Sequence, residues 1–424
     1  MQSARERLKL TLNHRQPEKV VVDMGSTAIT GINANALSKL RDVLGLEKRK
    51  IKICEPLQLL GLVEEDVREA LAIDVVDVTN NYTMFGFENA NWKSWTLPSG
   101  LEVEVPGGFM TTRDANGRTY LYPQGDVNAH PSAELPMGGH YFDNIVRNDP
   151  GFDEDDADGR RDFKDDFAVF TDEQLRAIEN RCKDIYENSD YAMIGGGALA
   201  GIGDVALLPG PSVKNPKGIR DVVEWLVAHH TMPRYIHDIY AMQTEIGIKN
   251  AEMFYQACGN KLQAMIVSGT DFGTQRGPYI SPDFYREFYK PYHAKINAWI
   301  HTHTEWRTFY HTCGSISEFF PDFVEAGVDI VNPVQISAEG MDPRYLKAAW
   351  GDKLVFWGGG SDTQKTLQFR TPEQVYAETA SLLEVFAPGG GYVFNTVHNI
   401  QPTTPPENIV AMFNAIRDFN QKGT

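Results

Sequence analysis

The chain predicts a (β/α)8 barrel, an α/β fold in which parallel strands alternate with helices. Three observations predict it. Eight short β-rich runs stand at 20–23, 75–79, 192–197, 265–269, 308–311, 329–333, 354–358 and 392–395. Most are followed by a helical pattern, and parallel strands need such crossovers. No GxGxxG follows the first run, which weakens the competing doubly wound sheet in its dinucleotide-binding form.

The helices announce themselves by their starts. Residues 172–188 follow Thr171, with Asp172 and Glu173 in the first turn, where carboxylates favour the helix dipole. Residues 282–302 follow Ser281-Pro282 and residues 372–386 follow Thr371-Pro372, each an N-cap before a proline. The long pattern 219–258 should break near Pro233. Residues 406–419 close the chain, and residues 1–12 read as an amphipathic helix without the apolar core of a signal peptide. Gly195-Gly196-Gly197 and Gly358-Gly359-Gly360 read as close-packing turns after strands.

One segment breaks the rhythm. Residues 86–166 hold β-like stretches separated by Ser99-Gly100 and Asn116-Gly117, both turn signals. They are expected to form a β-hairpin insertion after strand two, within a single barrel domain spanning 1–424. The insertion ends in an acidic run, 153–166, which reads as a solvated loop rather than a calcium loop because flanking helices are missing.

The 424 residues carry a formal net charge of −17, which argues against a nucleic-acid partner. No apolar stretch reaches the roughly 18–20 residues that span a bilayer. A cytoplasmic location is expected. The four cysteines, Cys54, Cys182, Cys258 and Cys313, show no CxxC and are expected to be free thiols in a reducing compartment.

In a barrel of this kind the reacting groups sit at the C-terminal ends of strands. That rule selects Asp23, Asp77, Asn81, Asp271, His311, Cys313, Asn332, Gln335, Asp362 and His398. His311 and Cys313 carry the strongest signal. Two residues apart at a strand tip, they face the same side with Cα atoms roughly 6.6 Å apart. Imidazole and thiolate together suit zinc. His398, after the eighth run, is the third candidate ligand and a candidate catalytic residue. Three protein ligands with one open position would make a catalytic centre of net charge near +1, inviting an anionic fourth ligand. Asp271, followed by glycine turns, is expected to orient a ligand or donate a proton. Asp23, Asn81, Tyr310, Asn332, Gln335 and Trp357 are expected to line the substrate pocket. His301 and His303, two apart on a helix, do not face one point and read as complements to the helix C-terminus.

These residues resemble the uroporphyrinogen decarboxylase superfamily. Asp271-Phe272-Gly273-Thr274-Gln275, with Ile280-Ser281-Pro282 and Pro291-Tyr292, is similar to its mid-barrel segment. Asn395-Thr396-Val397-His398-Asn399, followed by Thr404-Pro405-Pro406-Glu407-Asn408, is similar to its closing motif. The resemblance implies a (β/α)8 barrel. The family's decarboxylases hold substrate carboxylates with an Arg-Gln-Ala-Gly-Arg motif after the first strand. Here that place reads Asp23-Met24-Gly25-Ser26-Thr27-Ala28, without arginine. The other branch contains zinc-dependent methyltransferases acting with methylcobamide, whose zinc is held by a His-x-Cys pair and a later Cys. His311-x-Cys313 matches the pair, and His398 stands where the later Cys is expected.

The resemblance therefore implies zinc-dependent methyl transfer between a small, methoxylated substrate and a corrinoid, supplied by a partner corrinoid protein. The alternatives are a metal-free carboxy-lyase of tetrapyrrole metabolism, with Arg276, Arg307 and Arg344 as its candidate cations, and a non-catalytic corrinoid or porphyrin binder. The acidic surface and the insertion are candidate docking faces for a corrinoid protein or for a second copy in a homodimer.

Overall fold

The computed structural model describes residues 2–197 and 199–423. All eight β-rich runs become strands of one parallel sheet: β1 (Val21–Val22), β2 (Val75–Val78), β3 (Ala192–Gly195), β4 (Ala264–Ser268), β5 (Arg307–His311), β6 (Ile330–Asn332), β7 (Val355–Trp357) and β8 (Tyr392–Phe394). Their order, β1-β8-β7-β6-β5-β4-β3-β2, winds the sheet into a nearly closed (β/α)8 barrel. The seam lies between β1 and β2. There Asp74 N–H donates to Val22 O at 2.8 Å, and Val22 N–H donates to Asp74 Oδ2 at 2.9 Å. A carboxylate replaces a carbonyl of the missing strand ladder, and Arg7 pairs with that carboxylate.

Side chains alternate across each strand and so feed two cores. Val21, Val75, Ile194, Ile266, Phe309, Ile330, Val355, Trp357 and Val393 fill the barrel interior. The same cluster takes in Ala4, Leu8 and Leu12 from the helix Ala4–Leu12. Their spacing puts one apolar stripe against the N-terminal end of the barrel, and a Ser3–Glu6 capping box fixes the helix start. That end is plugged, so the strands' C-terminal ends form the open mouth.

The outward-facing strand residues pack under the helices. Asp172–Asn188 and Pro372–Phe386 begin after Thr171 and Thr371 as expected, and each threonine forms a capping box with the glutamine three residues on. The 219–258 pattern divides at Pro233 into Val222–Thr231 and Pro233–Cys258, as a proline without an N–H requires. The 282–302 pattern also divides, into Pro282–Phe288 and Lys290–His303, with Pro291 in the first turn of the second helix. All four cysteines are free, and Cys182 and Cys258 are buried. Among the described residues, no helix is long and apolar enough to cross a membrane.

Between β2 and β3 the chain is richer in strands than a hairpin. Lys93–Thr96 pairs antiparallel with Glu102–Val105 across Ser99-Gly100, and Thr111–Arg113 pairs with Thr119–Leu121 across Asn116-Gly117. The first hairpin extends into a sheet of four strands by recruiting Ile51–Glu55 and Leu60–Gly61, which precede β2. The second hairpin extends through Ala133–Leu135 and Asp143–Asn144. Ile51 and Ile53 alternate with Lys52 and Cys54, so one face of that strand is buried in the core.

Candidate metal centre at the barrel mouth

The centre is built from the ends of β4, β5 and β6. β5 ends at His311, and Thr312 N–H donates to Asn332 O at 2.7 Å, which carries the strand direction one residue further. Cys313 therefore stays on the side of His311, and its Sγ lies 3.5 Å from His311 Nε2. Asp271 comes from the loop after β4. Its Oδ1 accepts from Cys313 N–H at 2.7 Å and lies 3.8 Å from His311 Nε2.

Two glycines lock these loops together. Gly273 N–H donates to Cys313 O at 3.1 Å, and Ser315 N–H donates to Thr274 O at 2.8 Å. A Cβ on Gly314, whose φ is +89°, would lie 2.3 Å from the Gly273 carbonyl carbon. Only glycine permits that approach.

One donor atom each from Asp271, His311 and Cys313 lies within 4.8 Å of the others. Ligands around a tetrahedral zinc with bonds of about 2.0–2.3 Å stand roughly 3.3–3.8 Å apart. The 3.5 Å and 3.8 Å separations measured here match that spacing. Burial, then the charge of Asp271, holds the Cys313 thiol well above its ordinary range. A cation is what such a buried sulfur needs to ionise. The donor set thus fits a divalent metal of the zinc type.

His398 falls outside that tight group. It is largely buried, and burial, then the charge of His311, lowers its pKa. The charge of Asp271 acts weakly in the opposite sense. Its Nδ1 lies 3.5 Å from Gln401 Nε2, and Gln401 Oε1 accepts from the hydroxyl of Tyr141, a residue of the insertion. The carboxylate expected to support the centre thus stands among the donors, and the imidazole expected as a ligand stands beside them.

The expected pocket residues mostly turn out to be supports. Asn332 is fully buried, with Oδ1 at 2.6 Å from His311 Nδ1 and Nδ2 donating to Trp357 O at 2.8 Å. Gln335 Oε1 accepts from Gly314 N–H at 2.7 Å and holds the cysteine turn. Trp357 fills the barrel interior against Phe309 rather than lining a pocket, and its Nε1–H donates to Asp23 Oδ2 at 2.9 Å. Asp23 is 1% exposed, and burial lifts its pKa to about 6. Tyr310 does not reach the mouth. Strand alternation turns it away from His311 into the helical layer, where its hydroxyl donates to Asn297 Oδ1 at 2.9 Å. Asn81, at φ +66°, braces the insertion by donating to Asn89 O at 3.3 Å. Asp362 Oδ1 accepts from Gln364 N–H at 2.8 Å, a turn-forming role. Asp77 is half-buried beneath Gly196, and desolvation of its carboxylate raises its pKa to about 6. His301 pairs with Asp329 at 2.7 Å, away from the mouth.

Two residues of the mouth were not foreseen. Asp204 lies in the loop after β3, pinned there by Thr270 Oγ1–H donating to Ile202 O at 2.7 Å. Burial, and then the charge of Asp271, raises its pKa to about 7. Tyr279, after β4, is 40% exposed as a residue, but partial desolvation of its phenol, then the charges of Tyr289, Asp271, Asp204 and Cys313, push the group up. Neither sits at a strand tip, so the rule that selected the others passes over them.

The sequence profile of the uroporphyrinogen decarboxylase (URO-D) family matches residues 214–419. Among curated proteins, the uroporphyrinogen decarboxylase of Pseudoalteromonas translucida is 38% identical over 72 residues, 17% of this chain and 20% of its own length. That of Coxiella burnetii is 27% identical over 169 residues, 38% of this chain and 44% of its own length. The chain therefore matches less than half the length of either relative. Among solved structures, a methyltransferase from Methanosarcina mazei superimposes with a TM-score of 0.54 over 99% of both chains at 16% identity. The chain has a URO-D-superfamily-like barrel, an enzyme-like fold that carries a candidate metal-binding triad at its mouth.

Proposed function

We propose that the chain is a zinc-dependent methyltransferase that moves a methyl group between a small methoxylated compound and a corrinoid carried by a partner protein. The observation that carries this reading is the cluster of Asp271, His311 and Cys313 donor atoms within 4.8 Å of one another. His311 through Nε2, Cys313 through Sγ and Asp271 through a carboxylate oxygen would hold the metal. Bound there, zinc would supply Lewis acidity toward the departing oxygen.

The chain's own groups do the rest. Asn332 orients the His311 ring. Gln335 and the Gly273–Gly314 clasp hold the cysteine turn in place. Asp204, with its pKa near 7, keeps a proton at the mouth for the leaving oxygen. His398, kept neutral by burial, faces the substrate side as an acceptor or orienting group. Tyr141 reaches Gln401 from the insertion, so the insertion bears on the same rim and is the expected docking face for the corrinoid protein.

The test is metal analysis of the purified protein followed by an assay with reduced corrinoid and a panel of methoxybenzenes. The expected result is one zinc per chain and methylated corrinoid. The reading fails if the zinc-loaded protein transfers no methyl group from any compound of the panel.

A second reading, carboxy-lyase activity on a tetrapyrrole, is favoured by the names of the curated relatives. The candidate cations speak against it. Arg307 opens β5 at the plugged end and bonds Asn13, while Arg276 and Arg344 are exposed. Decarboxylation of uroporphyrinogen by metal-free protein would establish it instead.

A further inference from the structure

The barrel interior changes from apolar to polar as it reaches the mouth. On β2, Val75 faces inward with Ala192 and Ile194 of β3, while Val76 and Val78 pack outward under the helices. Alternation therefore turns Asp77 inward, one layer above Val75 and three strands from His311 in the order β2-β3-β4-β5. The neighbouring strand leaves room for it. Gly196, just past β3, has an ordinary φ, yet a Cβ there would lie 2.9 Å from Asp77 Oδ2 and 2.6 Å from Thr79 Cγ2. That glycine serves close approach to the carboxylate, not a special backbone conformation.

The two inward acids of the mouth differ in their partners. Asp23 is sealed, and it accepts from Ser26 N–H and Trp357 Nε1–H. Asp77 is half-buried, and its carboxylate keeps accessible surface. Among the described residues, only its own N–H reaches it. Arg181 and Arg68 act on it through charge alone, and Arg68 is occupied by Val63 O and Glu65. With its pKa near 6 the group is charged at neutral pH. A partly desolvated charge without a partner costs stability, and such groups concentrate at functional sites.

We propose that Asp77 determines substrate specificity at the mouth: it accepts a hydrogen bond from an O–H or N–H on the part of the substrate away from the methyl group, and it repels carboxylated substrates. This rests on the methyl-transfer reading for what the bound compound is there to do. It names the class of that compound, a methoxylated molecule carrying a hydroxyl or ammonium group. A donor completes the empty acceptor, whereas a second carboxylate would face it with no cation between them.

Binding to the full-length protein without corrinoid tests this apart from turnover. Ligand-observed NMR would compare four probes that share one ring and one methoxy group. The tighter of para-methoxyphenol and para-methoxybenzylamine is expected to bind roughly tenfold or more better than para-methylanisole, which lacks the donor, the worth of a hydrogen bond to a charged group. Which of the two is tighter tells hydroxyl from ammonium. Para-methoxybenzoate is expected to bind most weakly. Asp77→Ala should erase the preference for a donor. Asp77→Asn, which keeps the shape and an acceptor oxygen but loses the charge, should retain part of it and admit para-methoxybenzoate. The inference is overturned by equal binding of both donor probes and para-methylanisole to the parent, by tightest binding of para-methoxybenzoate, or by a full preference in folded Asp77→Ala. Zinc content and methylated corrinoid report on the methyl-transfer reading separately.

Discussion

His311 Nδ1 lies 2.6 Å from Oδ1 of Asn332, its direct neighbour in the β5–β6 register. The amide of Asn332 cannot be reversed, because its Nδ2 donates to Trp357 O at 2.8 Å on the next strand. Its oxygen therefore faces the imidazole, Nδ1 must carry the ring proton, and Nε2 presents a lone pair to Cys313 and Asp271. This is the arrangement that fixes tautomer and direction in a metal-ligating histidine.

Removing the Asn332 oxygen should then loosen metal binding without removing a ligand. Asn332→Ala is expected to weaken zinc affinity by roughly 10- to 100-fold, measured by competition with a chromogenic chelator. Unchanged affinity in a folded variant would mean that the asparagine only packs.

The donor set itself can be resolved by stoichiometry. Cys313→Ser and Asp271→Asn are expected to lower zinc content well below one per chain, while His398→Ala retains zinc and loses methyl transfer. The geometry gives the reason: Asp271 Oδ1 is 3.8 Å from His311 Nε2, whereas His398 lies outside the 4.8 Å group. Retention of zinc in Asp271→Asn together with its loss in His398→Ala would restore the arrangement of two imidazoles and one thiolate expected from sequence.

The pH dependence of stability should expose Asp204. Its pKa is about 7 in the folded chain and near 3.8 when unfolded. The folded state therefore binds the proton more tightly. Stability from this group is greatest at low pH and falls as pH rises from about 4 through 7. Asp204→Asn keeps an oxygen for Ala206 N–H and removes the titration. In metal-free protein the variant should melt higher than the parent at pH 8, with the gap closing toward pH 5. A gap independent of pH would show that the side chain is not held neutral by its surroundings.

Much of this architecture is written locally. The eight strands are short β-rich runs, and the helices starting at Asp172 and Pro372 carry capping boxes that need no tertiary context. The site is only half local. His311 and Cys313 could be paired because strand geometry alone sets their direction. The same alternation already excluded Tyr310, its neighbour in chain, from that face. That the donor atom of Asp271, rather than that of His398, groups with those of His311 and Cys313 was not readable, because it depends on the close approach of two loops at Gly273 and Gly314. The strand Ile51–Glu55 was missed for a related reason: its partner Glu102–Val105 lies beyond β2, so only a long-range pairing reveals it.

The seam of the barrel offers the sharpest test of stability. β1 is two residues long and shares no ladder with β2. What joins them is Asp74, through its own N–H to Val22 O and through Oδ2 from Val22 N–H. The same carboxylate pairs with Arg7, which reaches it from the helix that plugs the barrel, and both side chains are nearly buried, at 10% and 13% exposure. Asp74→Ala would leave the Val22 N–H and the Arg7 guanidinium buried without their acceptor. Breaking a buried pair in this way costs about 3–5 kcal/mol, and a loss of unfolding free energy of that size, read from urea denaturation, is expected. Asp74→Asn keeps an oxygen for Val22 but not the charge for Arg7, so it should fall between the parent and the alanine variant. If alanine cost no more than a surface substitution, the barrel would be closed by packing alone and the carboxylate would be incidental.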